Sequence, residues 1–350
     1  MAKRRIQLGP RAIGEGNPAF IIAEVGQAHD GSLGNAHAYI DAAADAGVDA
    51  VKFQTHIAAA ESTLDEAFRV AFSKQDKTRY EYWQRMEFTP VQWRGLADHA
   101  RNRGVQFLSS AFSVAAVEML AAMDMPAWKV GSGEFGSRDL MEAMLNTNRP
   151  LIVSTGMSSY REIAEIVDFV GRRNGDLALV QCTSKYPTAL AEVGLNVIGE
   201  MKERFDLPCG LSDHSGKLWP SVAAIAQGAD LIEVHVVFDR RMFGPDSPAS
   251  LTVDEIRMLC EARDAVHEMR TNPVDKDSLA AELAQMRDLF GKSLAMVSPM
   301  PAGTVLTAGD LTTKKPGTGI PPNELETVIG RTLKQDVAAD RLLNWEDLDD

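Results

Sequence analysis

"AFIIAEVGQAHDGSLGNAHAYIDAAADAGVDAVKFQ", residues 19–54, holds two short apolar runs with one stretch of helical period between them. The runs "AFIIAEVG" (19–26) and "VDAVKFQ" (48–54) have the length and composition of buried strands, and "NAHAYIDAAADAG" (35–47) has the length of a single amphipathic helix. Strand, helix and strand in so little chain read as a βαβ unit with parallel strands. The alternation continues through "VQFLSSAF" (105–112), "AWKVGSG" (127–133), "PLIVSTG" (150–156), "LALVQCTS" (177–184), "PCGLSDH" (208–214) and "LIEVHVV" (231–237). Helical stretches separate most of these runs, among them "SYREIAEIVDFVGRR" (159–173), for which Ser158 or Ser159 suits the N-cap. Eight such units predict an α/β fold, a (β/α)8 TIM barrel spanning 1–271. The competing open, doubly wound sheet requires G-x-G-x-x-G after its first strand, and "EVGQAHDG" (24–31) does not supply it.

Two stretches break the rhythm. Residues 55–104 exceed one helix and include the aromatic "TRYEYWQRMEF" (78–88), an insertion of the kind that covers the active face of a barrel. Residues 272–291 read as a linker with a helix. From 292 on, "KSLAMVSPMPAGTVLTAGDLTTKKPGTGIPP" (292–322) has short strands, Gly/Pro turns and no helical period, so 292–350 reads as a small β-rich domain.

The 350 residues carry 36 Lys and Arg against 49 Asp and Glu, a net charge of −13 without a long basic run, which argues against a nucleic-acid partner. No apolar stretch is long enough for a membrane span and no leader precedes the first run, so a cytoplasmic protein without a membrane partner is expected. Cys182, Cys209 and Cys260 show no C-x-x-C spacing and read as small buried residues.

Barrel chemistry sits at the C-terminal ends of the strands. There the sequence places Glu24, Lys52 with Gln54, Ser110, Lys129 with Ser132 and Glu134, Ser154, Thr183 with Ser184, Asp213 with His214, and Glu233 with His235. A single histidine at a strand end is ordinarily a hydrogen-bonded scaffold residue. His214 and His235 are one βαβ step apart, so their rings stand roughly 5 Å from each other on neighbouring strands, and with carboxylates beside both they suit one divalent ion, Mn²⁺, Zn²⁺ or Fe²⁺. Lys52 and Lys129, with the serines and the glycines of "VGSGEF" (130–135) and "STGMSS" (154–159), suit a phosphate or carboxylate, although pairing of these lysines with Glu24 or Glu134 is the plainer alternative.

Seven motifs in order, "FIIAEVGQAHDGSLGNAHAYIDAAADAGVDAVKFQTH" (20–56), "KVGSGEF" (129–135), "STGMSS" (154–159), "QCTSKYP" (181–187), "GLSDHSG" (210–216), "IEVHVVFDRRMFGPDSPASL" (232–251) and "KKPGTGI" (314–320), resemble the sialic acid synthase family. Its members condense phosphoenolpyruvate with an N-acylated amino sugar, N-acetylmannosamine or a related deoxy amino sugar, to give nonulosonic acids. The tail resembles the family's antifreeze-like (SAF) domain.

The resemblance implies that His214 and His235 hold manganese, with magnesium or cobalt as alternatives. It implies that Lys52, Ser110, Lys129, Ser132, Ser154, Ser184 and Ser212 line the phosphoenolpyruvate pocket. Gln54, Tyr186 and Asp246 would face the sugar, Glu24 and Glu134 would be the catalytic carboxylates, and Lys315 would meet the N-acyl group. It further implies a domain-swapped homodimer in which each SAF domain closes the partner's barrel. Four positions depart from the family pattern: Ala28 and Lys315 stand where Asn and Arg are usual, Val234 replaces a Lys, and Ser247 replaces a His. A Schiff-base pyruvate aldolase on the same barrel and a non-catalytic sugar-binding homologue are the rival readings.

Overall fold

The chain, in a computed structural model, is described over residues 5–68 and 71–349, and it divides into a first unit ending at Thr271 and a second beginning at Asn272. In the first unit, β1 (Arg5–Leu8) and β2 (Arg11–Gly14) pair antiparallel as a hairpin. Then β3 (Phe20–Gly26), β4 (Ala50–Thr55), β5 (Gln106–Ala111), β6 (Trp128–Val130), β7 (Leu151–Ser154), β8 (Leu177–Cys182), β9 (Cys209–Asp213) and β10 (Leu231–Val237) pair in parallel, each with the next. β10 also pairs with β3, which closes the ring: the fold is the expected eight-stranded barrel. A two-residue strand, β11 (Leu251–Thr252), adds to the end of β10.

The outer helices begin where side chains can satisfy the free N–H groups of a first turn. Ser32 caps Leu33–Asp45 by accepting from the Asn35 N–H at 3.2 Å, and Ser159 with Glu162 forms a full capping box at the head of Tyr160–Gly171. Pro90–Asn102 starts with proline in its first turn behind a Thr89–Gln92 box. The insertion adds two short helices, Ala58–Glu61 and Arg79–Met86, ahead of it; Tyr82, Trp83 and Met86 form a small core of their own, against which Phe68 and Phe72 pack.

Because side chains alternate across a strand, every second residue of β3–β10 faces the barrel axis. The inward set begins apolar, with Phe20, Ile22, Ala50, Leu108, Ala127, Ile152, Ala178, Val180 and Leu231 in one cluster. The hairpin contributes Ile6, Leu8 and Ile13 to that cluster, so β1–β2 plugs the N-terminal end of the barrel. Buried Asp49 fixes this end by accepting the Ile21 N–H at 2.7 Å and pairing with both Arg11 and Arg263. The outward residues pack on the helices in a larger cluster with Tyr39, Trp93 and Trp128.

In the second unit, β12 (Ser293–Met296) pairs antiparallel with β13 (Leu311–Lys314) over a core that includes Leu294, Met296, Leu306, Ile320 and Leu343. Helices Lys276–Glu282 and Ala284–Phe290 precede it. Among the described residues, no helix is long and apolar enough to cross a membrane, and the three cysteines are free and buried.

One buried group makes the stability of the first unit sensitive to acid. His29 is fully buried against Phe88 and Phe53, and its Nδ1 accepts the Gly31 N–H at 3.1 Å. Burial first, then the charges of His56 and Arg85, pull it down to about 3. The unfolded chain therefore binds a proton near pH 6.5 that the folded chain refuses, and stability present above that pH is lost as the pH falls towards 3. Between pH 7 and pH 5 this group should remove about 2 kcal/mol. Urea unfolding at the two pH values checks it: His29→Gln should show a pH-linked loss smaller than that of the parent by about this amount.

Candidate active site

Two residues beyond the apolar layer, the same inward positions turn polar. Ile22 gives way to Glu24, Ala50 to Lys52 and Gln54, Leu108 to Ser110, Ala127 to Lys129, Ile152 to Ser154, and Leu231 to Glu233 and His235. Pairing register sets these side chains beside one another: Glu24 stands opposite both Lys52 and His235, Ser110 opposite Gln54 and Lys129, and Glu233 opposite Ser212. They form the floor of a cavity of about 490 Å³ at the C-terminal mouth of the barrel.

The floor is a chain of alternating charge. Lys52 Nζ lies 2.6 Å from Glu24 and 3.9 Å from Glu233, and Lys129 Nζ lies 3.4 Å from Glu233. Hydroxyls and an amide complete it: Lys52 donates to Ser110 Oγ (3.2 Å), Lys129 to Ser154 Oγ (2.7 Å), Ser212 to Glu233 Oε1 (3.1 Å), and Gln54 Nε2 to Glu24 Oε1 (2.8 Å). Burial opposes the charged form of Lys52, but the carboxylates of Glu233 and Glu24 outweigh it and hold the ammonium above its ordinary range. Burial likewise pushes Glu233 up, and Lys129 and Lys52 more than reverse this, so it stays an anion.

Beside this floor stand the two imidazoles, ring centroids 5.3 Å apart. Tyr186 packs on His214 at 4.2 Å, and its hydroxyl lies 3.1 Å from His214 Nε2. Burial, and then His235, lower His214 to about 3, so near neutral pH it is the uncharged ring with a lone pair to offer. Among the described residues, no three His, Cys, Asp or Glu side chains stand together as a ligand set. The fit for a divalent ion is therefore two ring nitrogens with the remaining positions left to water or substrate oxygens, which the ring spacing permits. On the other flank, Gly156 is packed against polar groups: a Cβ there would come within 2.6 Å of Ser184 Oγ and 2.9 Å of Ser132 Oγ and Cys182 Sγ, so any side chain at this position would collide with them.

Of the residues expected from sequence, the cavity brings together Glu24, Lys52, Gln54, Ser110, Lys129, Ser132, Ser154, Ser184, Tyr186, Ser212, His214, His235 and Asp246. Glu134 is not among its lining residues. It ends the single turn Ser132–Glu134 beyond β6, accepts from Ser137 Oγ at 3.1 Å, and is raised by burial and by the nearby Glu61. Lys315 belongs to the second unit, where its Nζ lies 5.6 Å from the Phe290 ring centre. Asp213, outward on β9, holds the Ser215 N–H and hydroxyl. Sequence reasoning gave Glu233, which joins the two lysines, no part beyond that of a carboxylate beside His235, and did not single out Gln27; the aromatic stretch 78–88, expected to cover the active face, supplies Tyr82 and Trp83 to an outer wall that also includes Phe68, Phe72 and Phe112.

The charge chain predicts a stability effect. Lys52→Met leaves two buried carboxylates short of a cation and should cost about 3–5 kcal/mol in denaturant unfolding. Adding Glu24→Gln should recover a substantial part of that loss.

A family model described as the NeuB family matches residues 39–275, and one described as the SAF domain matches 291–349. The N,N'-diacetyllegionaminic acid synthase of Campylobacter jejuni is 30% identical over 330 residues, covering 93% of this chain and 98% of its own. The human N-acetylneuraminate-9-phosphate synthase is 33% identical over 344 residues, covering 97% and 95%. Among solved structures, the N-acetylneuraminic acid (sialic acid) synthetase of Leptospira borgpetersenii in complex with citrate superposes with a TM-score of 0.71 at 27% identity, covering 82% of this chain and 97% of that one.

Proposed function

The chain belongs to the NeuB family of carbon–carbon bond-forming synthases, and we propose that it condenses phosphoenolpyruvate with the open-chain aldehyde of an N-acylated amino sugar to give a nonulosonic acid. The observation that carries this reading is the juxtaposition of a buried Glu24–Lys52–Glu233–Lys129 chain with a pair of adjacent imidazoles in one cavity. The two lysines are already matched by two glutamates. A substrate bearing both phosphate and carboxylate therefore calls for further positive charge, which His214 with His235 could hold as a divalent cation, manganese being the one that the family resemblance implies. When bound, that ion supplies Lewis acidity towards the aldehyde oxygen.

The chain's own groups do the rest. Lys52 and Lys129 bind and orient the anionic ends of phosphoenolpyruvate, with Ser132, Ser154 and Ser184 donating beside them. The enol C=C π pair forms the bond from C3 to the aldehyde carbon, the aldehyde C=O π pair moves onto its oxygen, and C2 is left electron-poor. Water adds at C2, its two protons ending on the former aldehyde oxygen and on phosphate; the C2 hydroxyl becomes a ketone as the C–O bond to phosphate breaks, leaving a 2-keto acid and inorganic phosphate. Glu24, lining the cavity, takes the proton from that water; Glu134, outside the lining, is left without this role. A Schiff-base mechanism is less well served, because it requires a neutral amine and the neighbours of Lys52 favour its ammonium. The same proposal includes a cytoplasmic homodimer in which Lys315 serves the partner's sugar site.

Phosphate release from phosphoenolpyruvate across a panel of N-acylated hexosamines, with Mn²⁺ and after chelation, tests the reaction. His214→Ala and His235→Ala should each abolish turnover while leaving a cooperative unfolding transition, since each removes an imidazole at the cavity and none of the apolar core. Borohydride with pyruvate should leave no covalent adduct; trapping at Lys52 or Lys129 would favour the aldolase.

A second expectation separates the two substrates. Lys129→Met should raise the KM for phosphoenolpyruvate about ten- to a hundredfold, the range for losing a charge-assisted hydrogen bond, with a much smaller effect on the sugar KM. Equal effects on both would reduce Lys129 to a scaffold residue.

A further inference from the structure

Gln27 sits in the tight turn that follows β3, where Gly26 takes φ +52° and the Ala28 N–H closes back on the Val25 carbonyl at 2.9 Å. Its side chain is 96% buried by relative exposure of 4%, yet it lines the cavity. Its Nε2 donates to Gln54 Oε1 at 3.3 Å, and its Oε1 has no partner.

That orphan acceptor is fixed in identity by the chain it terminates. Glu24 is ion-paired with Lys52, so its oxygens only accept, and the Gln54 atom facing Glu24 Oε1 must be the NH₂ group. Gln54 then turns its carbonyl towards Gln27, which can answer only with its own NH₂ group. The carbonyl oxygen of Gln27 is thus left over, and no exchange of amide O and N along the chain relieves it without setting oxygen against oxygen. The position is also near the reacting end of the cavity: a Cβ on the preceding Gly26 would lie 3.4 Å from Gln54 Nε2, 3.4 Å from Glu24 Oε1 and 3.5 Å from His235 Cε1.

We infer that Gln27 Oε1 is a specificity element for the sugar, accepting a hydrogen bond from the N–H on C2 or the O–H on C3, the first two carbons after the aldehyde. A buried acceptor on a side chain that lines a binding cavity discriminates once a substrate donor reaches it, because a substrate without the matching donor leaves it unpaired. The inference rests on the condensation proposed above and names the part of the sugar that this residue reads.

The experiment is a double comparison of protein and substrate variants. Phosphate release is measured for the parent and for Gln27→Met with the best acylamino sugar of the panel. It is repeated with that sugar's N-methyl-N-acyl counterpart at C2 and with its 3-deoxy counterpart. Gln27→Met should lower kcat/KM for the sugar about tenfold and leave the phosphoenolpyruvate KM nearly unchanged. With one of the two counterparts the parent and the variant should become nearly equal, because the donor is already gone. Gln27→Ala gives the same comparison if the methionine does not fit. An unchanged kcat/KM, or a loss of equal size with all three sugars, overturns the role of Gln27 while leaving the condensation standing. A parent protein that releases no phosphate with any acylamino sugar overturns both.

Discussion

A closed sheet has no edge along which a strand can slip. Once β10 pairs with β3 as well as with β9, the register of every strand is tied to that of all the others, and a shift by one residue would turn an inward set outward. The site depends on this closure. Lys52 meets Glu24, and Ser110 meets Lys129, because the ladder holds those residues level, and the alternation of the pleat carries each strand from an apolar layer to a polar one in two residues.

Inside so narrow a ring, ions are tolerated only when they cancel. Each buried charge forfeits several kcal/mol of hydration, and only close partners with their remaining hydrogen bonds filled can offset that. The alternating order of Glu24, Lys52, Glu233 and Lys129 meets the first condition, and Ser110, Ser154, Ser212 and Gln54 meet much of the second. Serine suits this layer because its short hydroxyl reaches a neighbouring strand without filling the space a substrate needs. The arrangement balances two carboxylates against two ammonium groups and fixes each side chain through its neighbours, which is preorganisation of the cavity floor.

Much of this was readable from residue order, for reasons that vary by element. The eight runs were clear because each is apolar, short and followed by a helix-length segment, and His214 and His235 were clear because one βαβ step must bring neighbouring strand ends together. The β1–β2 hairpin escaped notice because its strands are four residues each and split between exposed and buried positions, which leaves too short a period to recognise. Glu134 looked like a site residue because it follows Lys129 closely, but β6 stops at Val130, and beyond a strand end the pleat no longer dictates direction. Gln27 gave no signal at all: a glutamine in a Gly-containing turn reads as solvent-facing, and only the fold over the barrel mouth buries it. Glu233 was placed at the rim, but its link between two lysines arises from pairing across three strands.

The hairpin that closes the N-terminal end also decides how molecules travel. With Ile6, Leu8 and Ile13 filling the axis below the lysine layer, and Asp49 bound to both Arg11 and Arg263 beneath, the barrel is a cup and not a tube. Whatever rests on the lysines must pass the aromatic wall and the imidazoles on the way in, and must wait for anything seated there to depart before it can leave. A cup with one mouth imposes an order on whatever it holds: what lies deepest enters first and leaves last.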